Sequence, residues 1–128
     1  MSRSEVRPPM DTLDTETLAT LRSLQEDGDD DLLAELIDLF FQDAPERMAA
    51  IKGAVHTSDW VGLGERAHSL KGSCASLGAV RMASLCAKLE AMGRDLAQRN
   101  DAVDIYSELE DEYARVREAL ERERNAPH

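Results

Sequence analysis

The sequence predicts an all-α protein, an antiparallel up-and-down four-helix bundle with a short N-terminal capping helix. Aromatic residues make up only 4% of the 128 residues, and the runs of Val, Ile, Thr and Tyr that favour strands are missing. Four long segments instead repeat apolar residues every three or four positions, which is the period of a helix with one buried face. The links between these segments are short, and short links join antiparallel neighbours.

The N-terminal part of the chain is predicted to contribute one short helix. Residues 1–12, with two prolines and few apolar side chains, are expected to form a disordered lead. Asp14 is a good N-cap for a first helix from about Thr15 to Gln25, because its carboxylate can accept from a free backbone N–H. The polar stretch at 26–29 should end that helix, which would then cap one end of the bundle.

The second helix is expected to begin after a cap at Asp29 or Asp30. Pro45 falls inside it and removes the hydrogen bond to the Phe41 carbonyl, so a kink or a local break is expected there. The apolar pattern resumes beyond Pro45, which favours the kink. The residues expected to face inward are Leu32, Leu33, Leu36, Ile37, Phe40, Phe41, Ala44, Met48, Ile51 and Val55.

The third helix should begin at Ser58 or Asp59 and end near Gly78, because Ser and Asp cap helix N-termini and Gly ends helices. The fourth helix follows directly, and residues 98–101 form the next connection. Its apolar stripe has spacings of 3, 4, 3 and 4 and comprises Met82, Leu85, Leu89, Met92 and Leu96.

The last helix is predicted to begin near Ala102 and to fray from Glu121 onwards. The domain is therefore expected to span residues 13–122, with a flexible tail at 123–128. The apolar face of this helix comprises Val103, Tyr106, Leu109, Tyr113, Val116 and Leu120.

Charge and composition exclude several classes of function. The net charge of −11 and the pI near 4.6 argue against nucleic acid or an anionic membrane as the main partner. The apolar runs are far shorter than the roughly 18 residues of a membrane span, and residues 1–10 lack the apolar core of a secretory signal. We therefore expect a soluble, cytoplasmic protein whose Cys74 and Cys86 are reduced and buried.

One strip of the third helix holds the residues that point most clearly to a chemical function. His68 lies off the apolar stripe, and its neighbours one turn away are Gly64 and Gly72, with Ala75 about one turn further. Glycine inside a helix costs about 1 kcal/mol relative to alanine. Two glycines beside one histidine therefore indicate the close approach of another molecule.

The segment around this strip is locally basic on an acidic protein. From Trp60 to Arg99 it holds six Lys or Arg and three acids, a net charge of 6 − 3 = +3, which suits a phosphoryl group. A neutral histidine is a competent nucleophile towards phosphorus. Lys71, on the same side of the helix as His68, could offset the charge of a phosphoryl group.

The stretch AHSLKGS at 67–73, followed by LGA at 77–79 and LCAKLE at 85–90, closely resembles the histidine-containing phosphotransfer domain family of bacterial and eukaryotic phosphorelays. A weaker similarity extends over roughly Leu13 to Leu120 and includes DAPER at 43–47. The resemblance implies a four-helix bundle whose exposed histidine accepts a phosphoryl group from a receiver-domain aspartyl phosphate or a sensor kinase. That histidine would then pass the group to another receiver domain.

The resemblance also implies roles for individual residues. His68 would carry the phosphoryl group, and Lys71 would support the phosphorylated histidine. The expected partners are a response-regulator receiver domain and/or a hybrid histidine kinase, with this chain as a monomer. The surface expected to dock the receiver comprises Gly64, Ser69, Gly72 and Ala75.

The chain is predicted to be a phosphocarrier rather than an enzyme. It has no Gly-rich phosphate loop for ATP and no clustered carboxylates for a metal ion, so the receiver would supply Mg²⁺. One alternative is a binding module whose same face docks a partner without phosphorylation. Another is a bundle that holds haem or a metal, but this needs inward ligands on facing helices, whereas His68 points outward.

Overall fold

The computed structural model describes residues 12–24 and 32–125, apart from the side chains of residues 96–98. A short 3-10 helix at Leu96–Asp101 precedes the last α-helix. The all-α class is confirmed. The α-helices of the described ranges are α1 (Thr15–Ser23), α2 (Leu32–Thr57), α3 (Trp60–Ser76), α4 (Val80–Met92) and α5 (Ala102–Asn125).

The four long helices form an antiparallel bundle, as the sequence predicts. α2 and α4 each pack against both α3 and α5. The Tyr106 hydroxyl, near the start of α5, donates to the Met48 carbonyl at 3.2 Å. Asp38, near the start of α2, instead pairs with Arg124 at the end of α5, at 2.7 Å. The two helices therefore run in opposite directions.

The buried stripe of α3 fixes which face of that helix reaches solvent. Leu63, Ala67, Leu70 and Cys74 have no exposed surface, and burying each leucine contributes roughly 1.5–3 kcal/mol. Rotating α3 would expose this stripe, so its opposite face is held outward. His68 lies on that outward face.

Cys74 and Cys86 are both free and buried, as expected. A hydrogen bond with Cys86 and burial both raise the pKa of Cys74. Both thiols therefore act as small apolar side chains between α3 and α4.

The helix α1 caps one end of the bundle. Asp14 is its N-cap and accepts from the Glu16 N–H at 3.1 Å, while its own N–H donates to the Gly78 carbonyl at 2.7 Å. Gly78 has a φ of 75°, which glycine adopts at little cost. At the other end of α1, Arg22 pairs with Glu123 of α5 at 2.8 Å.

The helix α2 is continuous through Pro45, which excludes the local break that the sequence left as an alternative to a kink. Two expectations about helix ends are corrected by the structure. The helix α4 ends at Met92 instead of continuing to Leu96, because the chain turns at Gly93, where α4 lies against α3. The helix α5 does not fray from Glu121 but continues to Asn125, since ion pairs with α1 and α2 hold its last turns.

The inward face of α5 also differs from the predicted one. Val103 is 67% exposed, and Ala102 is buried in its place.

Several other expectations fall outside the described residues and stay predictions: the lead before Thr12, Gln25, the break at 26–29, the caps at Asp29 or Asp30, the Leu96 side chain and residues 126–128. The domain limits of 13 and 122 also stay predictions. None of the helices within 12–24 and 32–125 is both long and apolar enough to cross a membrane.

The contact between α3 and α4 leaves no room for a side chain at Gly93. A Cβ there would lie 2.8 Å from the Trp60 carbonyl oxygen and 3.1 Å from the Gly64 Cα. We predict that Gly93→Ala lowers the free energy of unfolding by about 1–3 kcal/mol, the usual cost of overpacking. Gly53→Ala is the control, because a Cβ at Gly53 meets nothing within 4 Å. The free energy of unfolding of Gly53→Ala should rise by up to about 1 kcal/mol. Urea unfolding measures both, and equal midpoints for the two variants would contradict the prediction.

Candidate functional site

The helix α3 presents His68 to solvent near its middle. Ser58, with a φ of 57°, reverses the chain after α2, and the Asp59 carboxylate then caps α3 by accepting from the Gly62 N–H at 3.0 Å. His68 lies two turns further on, opposite the buried stripe. Its side chain is 68% exposed, which confirms that it points outward.

Glu90 of α4 connects His68 to Lys71. The carboxylate oxygen Oε2 lies 2.9 Å from Nδ1 of His68, and Oε1 accepts from Nζ of Lys71 at 2.6 Å. The Glu90 side chain is only 17% exposed; its contact with Lys71 is half-buried, whereas its contact with His68 is open to solvent. We call His68, Glu90 and Lys71 the acceptor cluster.

The charge of Glu90 determines the proton on His68. A hydrogen bond from Lys71 is the main reason that the pKa of Glu90 lies below its usual value, with a further lowering by His68 and partial opposition from burial. Glu90 is therefore a carboxylate at neutral pH and can only accept hydrogen bonds. The proton of the neutral imidazole then lies on Nδ1, and Nε2 keeps its lone pair. The exposed nitrogen of His68 is the nucleophilic one.

Gly93 allows α4 to lie close to α3 beside His68. A Cβ at Gly93 would lie 3.1 Å from the Gly64 Cα, so the two helices cross nearly backbone to backbone one turn before His68. A Cβ at Gly64 would lie 3.6 Å from the Glu90 carbonyl oxygen, an ordinary van der Waals distance, so packing does not require glycine at that position. Gly64, which the sequence assigns to the docking surface, is half-buried in this crossing.

Arg99 fixes the end of α4 to the start of α3. Its Nε donates to the Met92 carbonyl at 3.0 Å, and its Nη2 donates to the Gly93 carbonyl at 3.3 Å. These carbonyls lie at the C-terminal end of α4, where the helix has no further backbone N–H groups to donate to them. The same guanidinium lies 4.9 Å from the centre of the Trp60 ring, a cation–π contact of about 0.5–1 kcal/mol.

The other residues expected at the site lie on the exposed side of α3. Gly72 and Ala75 are exposed and follow His68 by about one and two turns. A Cβ at Gly72 would meet nothing within 4 Å, so packing inside the chain does not require glycine there. Ser69 is exposed and accepts a hydrogen bond from Arg47 of α2.

The acceptor cluster is poorly suited to a divalent cation. Its one carboxylate is already engaged by Lys71 and His68, and the lysine charge opposes a cation. Across the described ranges, no group of three or more His, Cys, Asp or Glu is arranged to hold a metal ion.

The family model for the Hpt domain matches residues 35–119, which include all three members of the acceptor cluster. The chain belongs to the Hpt family. Hpt domains are phosphocarriers of two-component signalling rather than enzymes in the usual sense. The four-helix bundle and the outward histidine agree with what the sequence resemblance implies.

Solved and curated relatives agree with this assignment. Histidine-containing phosphotransfer protein B (HptB) from Pseudomonas aeruginosa PAO1 is similar in structure, with a TM-score of 0.80, 31% identity, and coverage of 92% of this chain and 98% of that one. Histidine-containing phosphotransfer protein 2 of Arabidopsis thaliana is 38% identical over 69 residues, which are 52% of this chain and 44% of the relative. Histidine-containing phosphotransfer protein 5 of the same plant is 28% identical over 104 residues, which are 79% of this chain and 66% of the relative. The chain thus spans about half to two thirds of the curated relatives that it matches.

Glu90 is the member of the acceptor cluster that the sequence pattern does not indicate. It ends the LCAKLE stretch that carries the family resemblance, but nothing in its spacing shows that it meets a histidine 22 residues earlier. The contact depends on how α3 and α4 are aligned, and the close crossing at Gly93 is part of that alignment. A glycine at the end of the fourth helix is the only local signal of this crossing.

The Lys71–Glu90 contact predicts a measurable pH dependence. Since Lys71 lowers the pKa of Glu90 from the usual Glu value of 4.5, the stabilisation from this pair is present above that usual value and is lost as the pH falls through the lowered pKa. We predict that Lys71→Met moves the pKa of Glu90 back up, as measured by NMR titration of its carboxyl carbon. Lys88→Met is the control, because Lys88 is an exposed lysine of the same helix as Glu90. A Glu90 pKa that Lys71→Met leaves unchanged would refute the assigned cause.

Proposed function

We propose that His68 is the residue of this Hpt domain that accepts and donates the phosphoryl group. The proposed partners are a response-regulator receiver domain and/or a hybrid histidine kinase. The observation that carries the proposal is the contact between Nδ1 of His68 and the Glu90 carboxylate. It leaves Nε2 unprotonated on a side chain that is 68% exposed.

The proposed step is a phosphoryl transfer to Nε2. The lone pair of Nε2 attacks the phosphorus of a partner's aspartyl phosphate in line with the breaking P–O bond, and the aspartate leaves as a carboxylate. A new N–P bond forms, and the imidazole ring becomes positively charged. The Nδ1–H then donates to Glu90, whose negative charge stabilises that ring. Transfer to a second receiver is the reverse sequence with a new aspartate.

Lys71 has a specific role in this scheme. A bare carboxylate beside the histidine would repel the incoming phosphoryl group. The Lys71 ammonium lies 2.6 Å from Glu90, so the two charges of the pair sum to zero before transfer. Lys71 thus allows Glu90 to orient the imidazole without a net negative charge at the site.

Transfer also requires the two reacting atoms to come within roughly 3–3.5 Å. His68 must therefore protrude further than its neighbours on α3. The absent side chain at Gly72 and the small ones of Ser69 and Ala75 meet that condition. We assign these three residues to the receiver-docking surface.

We further propose that the divalent cation needed for receiver chemistry comes with the partner and that the chain acts as a cytoplasmic monomer. The poor cation donor set of the acceptor cluster supports the first statement. The two buried free thiols, which suit a reducing compartment, support the cytoplasmic location. The charge of −11 disfavours self-association.

The assignment of His68 predicts where an acid-labile phosphoryl group appears. After incubation with a ³²P-phosphorylated receiver domain that loads the wild type, His68→Gln should retain less than about 1% of the wild-type label, because the accepting nitrogen is gone. His56→Gln, which removes another exposed histidine at the end of α2, should be labelled like the wild type. Label that persists in His68→Gln would overturn the assignment. Equal function of His68→Gln and the wild type would favour a binding module.

A further inference from the structure

A groove runs along the interface of α3 and α4 from the acceptor cluster towards the start of α3. Its volume is about 420 Å³. His68 and Glu90 line one end of it, so the groove is continuous with the phosphotransfer site. Its remaining lining residues are Trp60, Val61, Gly64, Glu65, Gly93 and Arg94, and we call this feature the Trp60 groove.

The floor and walls of the Trp60 groove are built by contacts described above. Gly64 and Gly93 form a floor of backbone, because neither has a side chain to fill it. Arg99 holds the Trp60 ring in place as the far wall. The groove is therefore a preformed feature, because its floor is backbone and its far wall is held by Arg99.

The most exposed large apolar side chain of the described residues lies in this groove. Val61 is 71% exposed, and it precedes His68 by two helical turns on the same face of α3. Trp60 beside it is only half-buried. Glu65 of α3 and Arg94 of α4 place one charge of each sign beside the groove. The groove thus offers an apolar end at Trp60 and Val61, one charge of each sign, and His68 and Glu90 at its other end.

Geometry indicates which molecule covers this surface. Trp60 and His68 are eight residues apart, which is about 12 Å along α3. A partner of standard size covers roughly 600–800 Å² of one protein, a disc of roughly 14–16 Å radius. A receiver domain centred on His68 therefore reaches the far end of the Trp60 groove. No other partner is required to approach His68 so closely.

We infer that the Trp60 groove is a second part of the receiver-docking surface and takes an apolar side chain of the receiver against Val61 and Trp60. The inference rests on the proposed function, since the receiver is placed by transfer at His68. Gly72 and Ala75 let the receiver approach on one side of His68, and the groove holds it on the other. Val61 is thereby a specificity-determining residue that contacts the partner and not the reacting atoms.

The experiment separates docking from the reactivity of His68. The full chain is loaded with phosphoramidate, which transfers its phosphoryl group to the histidine and releases ammonia without any protein partner. The reagent is removed, and the loss of phosphoryl from His68 to a purified receiver domain is timed. The probe is the receiver domain that discharges the wild type fastest among those assayed.

Val61→Asp and Val80→Asp form a matched pair for this experiment. Both valines are exposed and lie in the first turn of a helix, where an added carboxylate is favourable to the helix dipole. Val80 starts α4 and lies ten residues before Glu90, about 15 Å away along the helix. Val61→Ile serves as the conservative variant that keeps the apolar contact.

We expect Val61→Asp to lower kcat/KM for transfer to the receiver by about tenfold or more, as for a buried interface anchor. Val80→Asp and Val61→Ile should stay within about twofold of the wild type, and all four proteins should load equally with phosphoramidate. If the wild type transfers its phosphoryl group and Val61→Asp transfers it at the same rate, the groove is not part of the docking surface, while the proposed function stands. Equal losses of kcat/KM in Val61→Asp and Val80→Asp would also overturn the inference, because the added negative charge alone would then explain the slower transfer.

Two other outcomes test the proposed function and the oligomeric state of the chain. A wild type that loads on His68 but discharges to no receiver would contradict the proposed function itself. Sedimentation of the wild type and Val61→Asp tests a second copy of this chain as the occupant. A wild-type dimer that Val61→Asp dissociates would assign the groove to self-association and overturn the inference.

Discussion

Glu90 lies between a histidine and a lysine, and the proposed function depends on keeping it there. Its two carboxylate oxygens face Nδ1 of His68 and Nζ of Lys71 at 2.9 and 2.6 Å. The lysine favours the ionised carboxylate, and the carboxylate favours the imidazole proton on Nδ1. Nε2 then has a lone pair on an exposed side chain. In the proposed function, this one contact between two helices orients His68 as a nucleophile.

Packing maintains this contact from both sides. The buried stripe of α3 prevents that helix from rotating, and Gly93 lets α4 come close enough to α3 for Glu90 to reach the histidine. Arg99 satisfies the last carbonyls of α4 while it packs on Trp60. The end of α4 is thereby fixed to the start of α3. The same crossing leaves the Trp60 groove open beside the acceptor cluster.

The parts of the fold that follow from local physics could be predicted from the sequence. Apolar spacing located the buried stripes, and the residues that can accept from free backbone N–H groups located the caps at Asp14 and Asp59. The exposure of His68 followed from its place opposite the α3 stripe. These features depend on residues a few positions apart, for which helix geometry is known in advance.

Features that depend on the alignment of distant segments could not be predicted. The role of Glu90 requires knowing which turn of α4 faces His68, and the early end of α4 depends on its contact with Trp60. Glu112 shows the same limit, because nothing near it in the sequence indicates that it is 2% exposed with Arg81 and Arg115 beside it at 3.8 and 3.6 Å. The inward position at the start of α5 is Ala102 instead of Val103, and the apolar spacing of α5 does not distinguish these two neighbours.

In the proposed function, Glu90 selects the nitrogen of His68 that carries the phosphoryl group. NMR of the ¹⁵N-labelled protein, after loading with phosphoramidate, measures this directly through the coupling of phosphorus to one ring nitrogen. We predict phosphorus on Nε2, with the Nδ1 proton retained and hydrogen-bonded to Glu90. Phosphorus on Nδ1 would refute this role of Glu90, because that nitrogen would have to leave Glu90 before it could react.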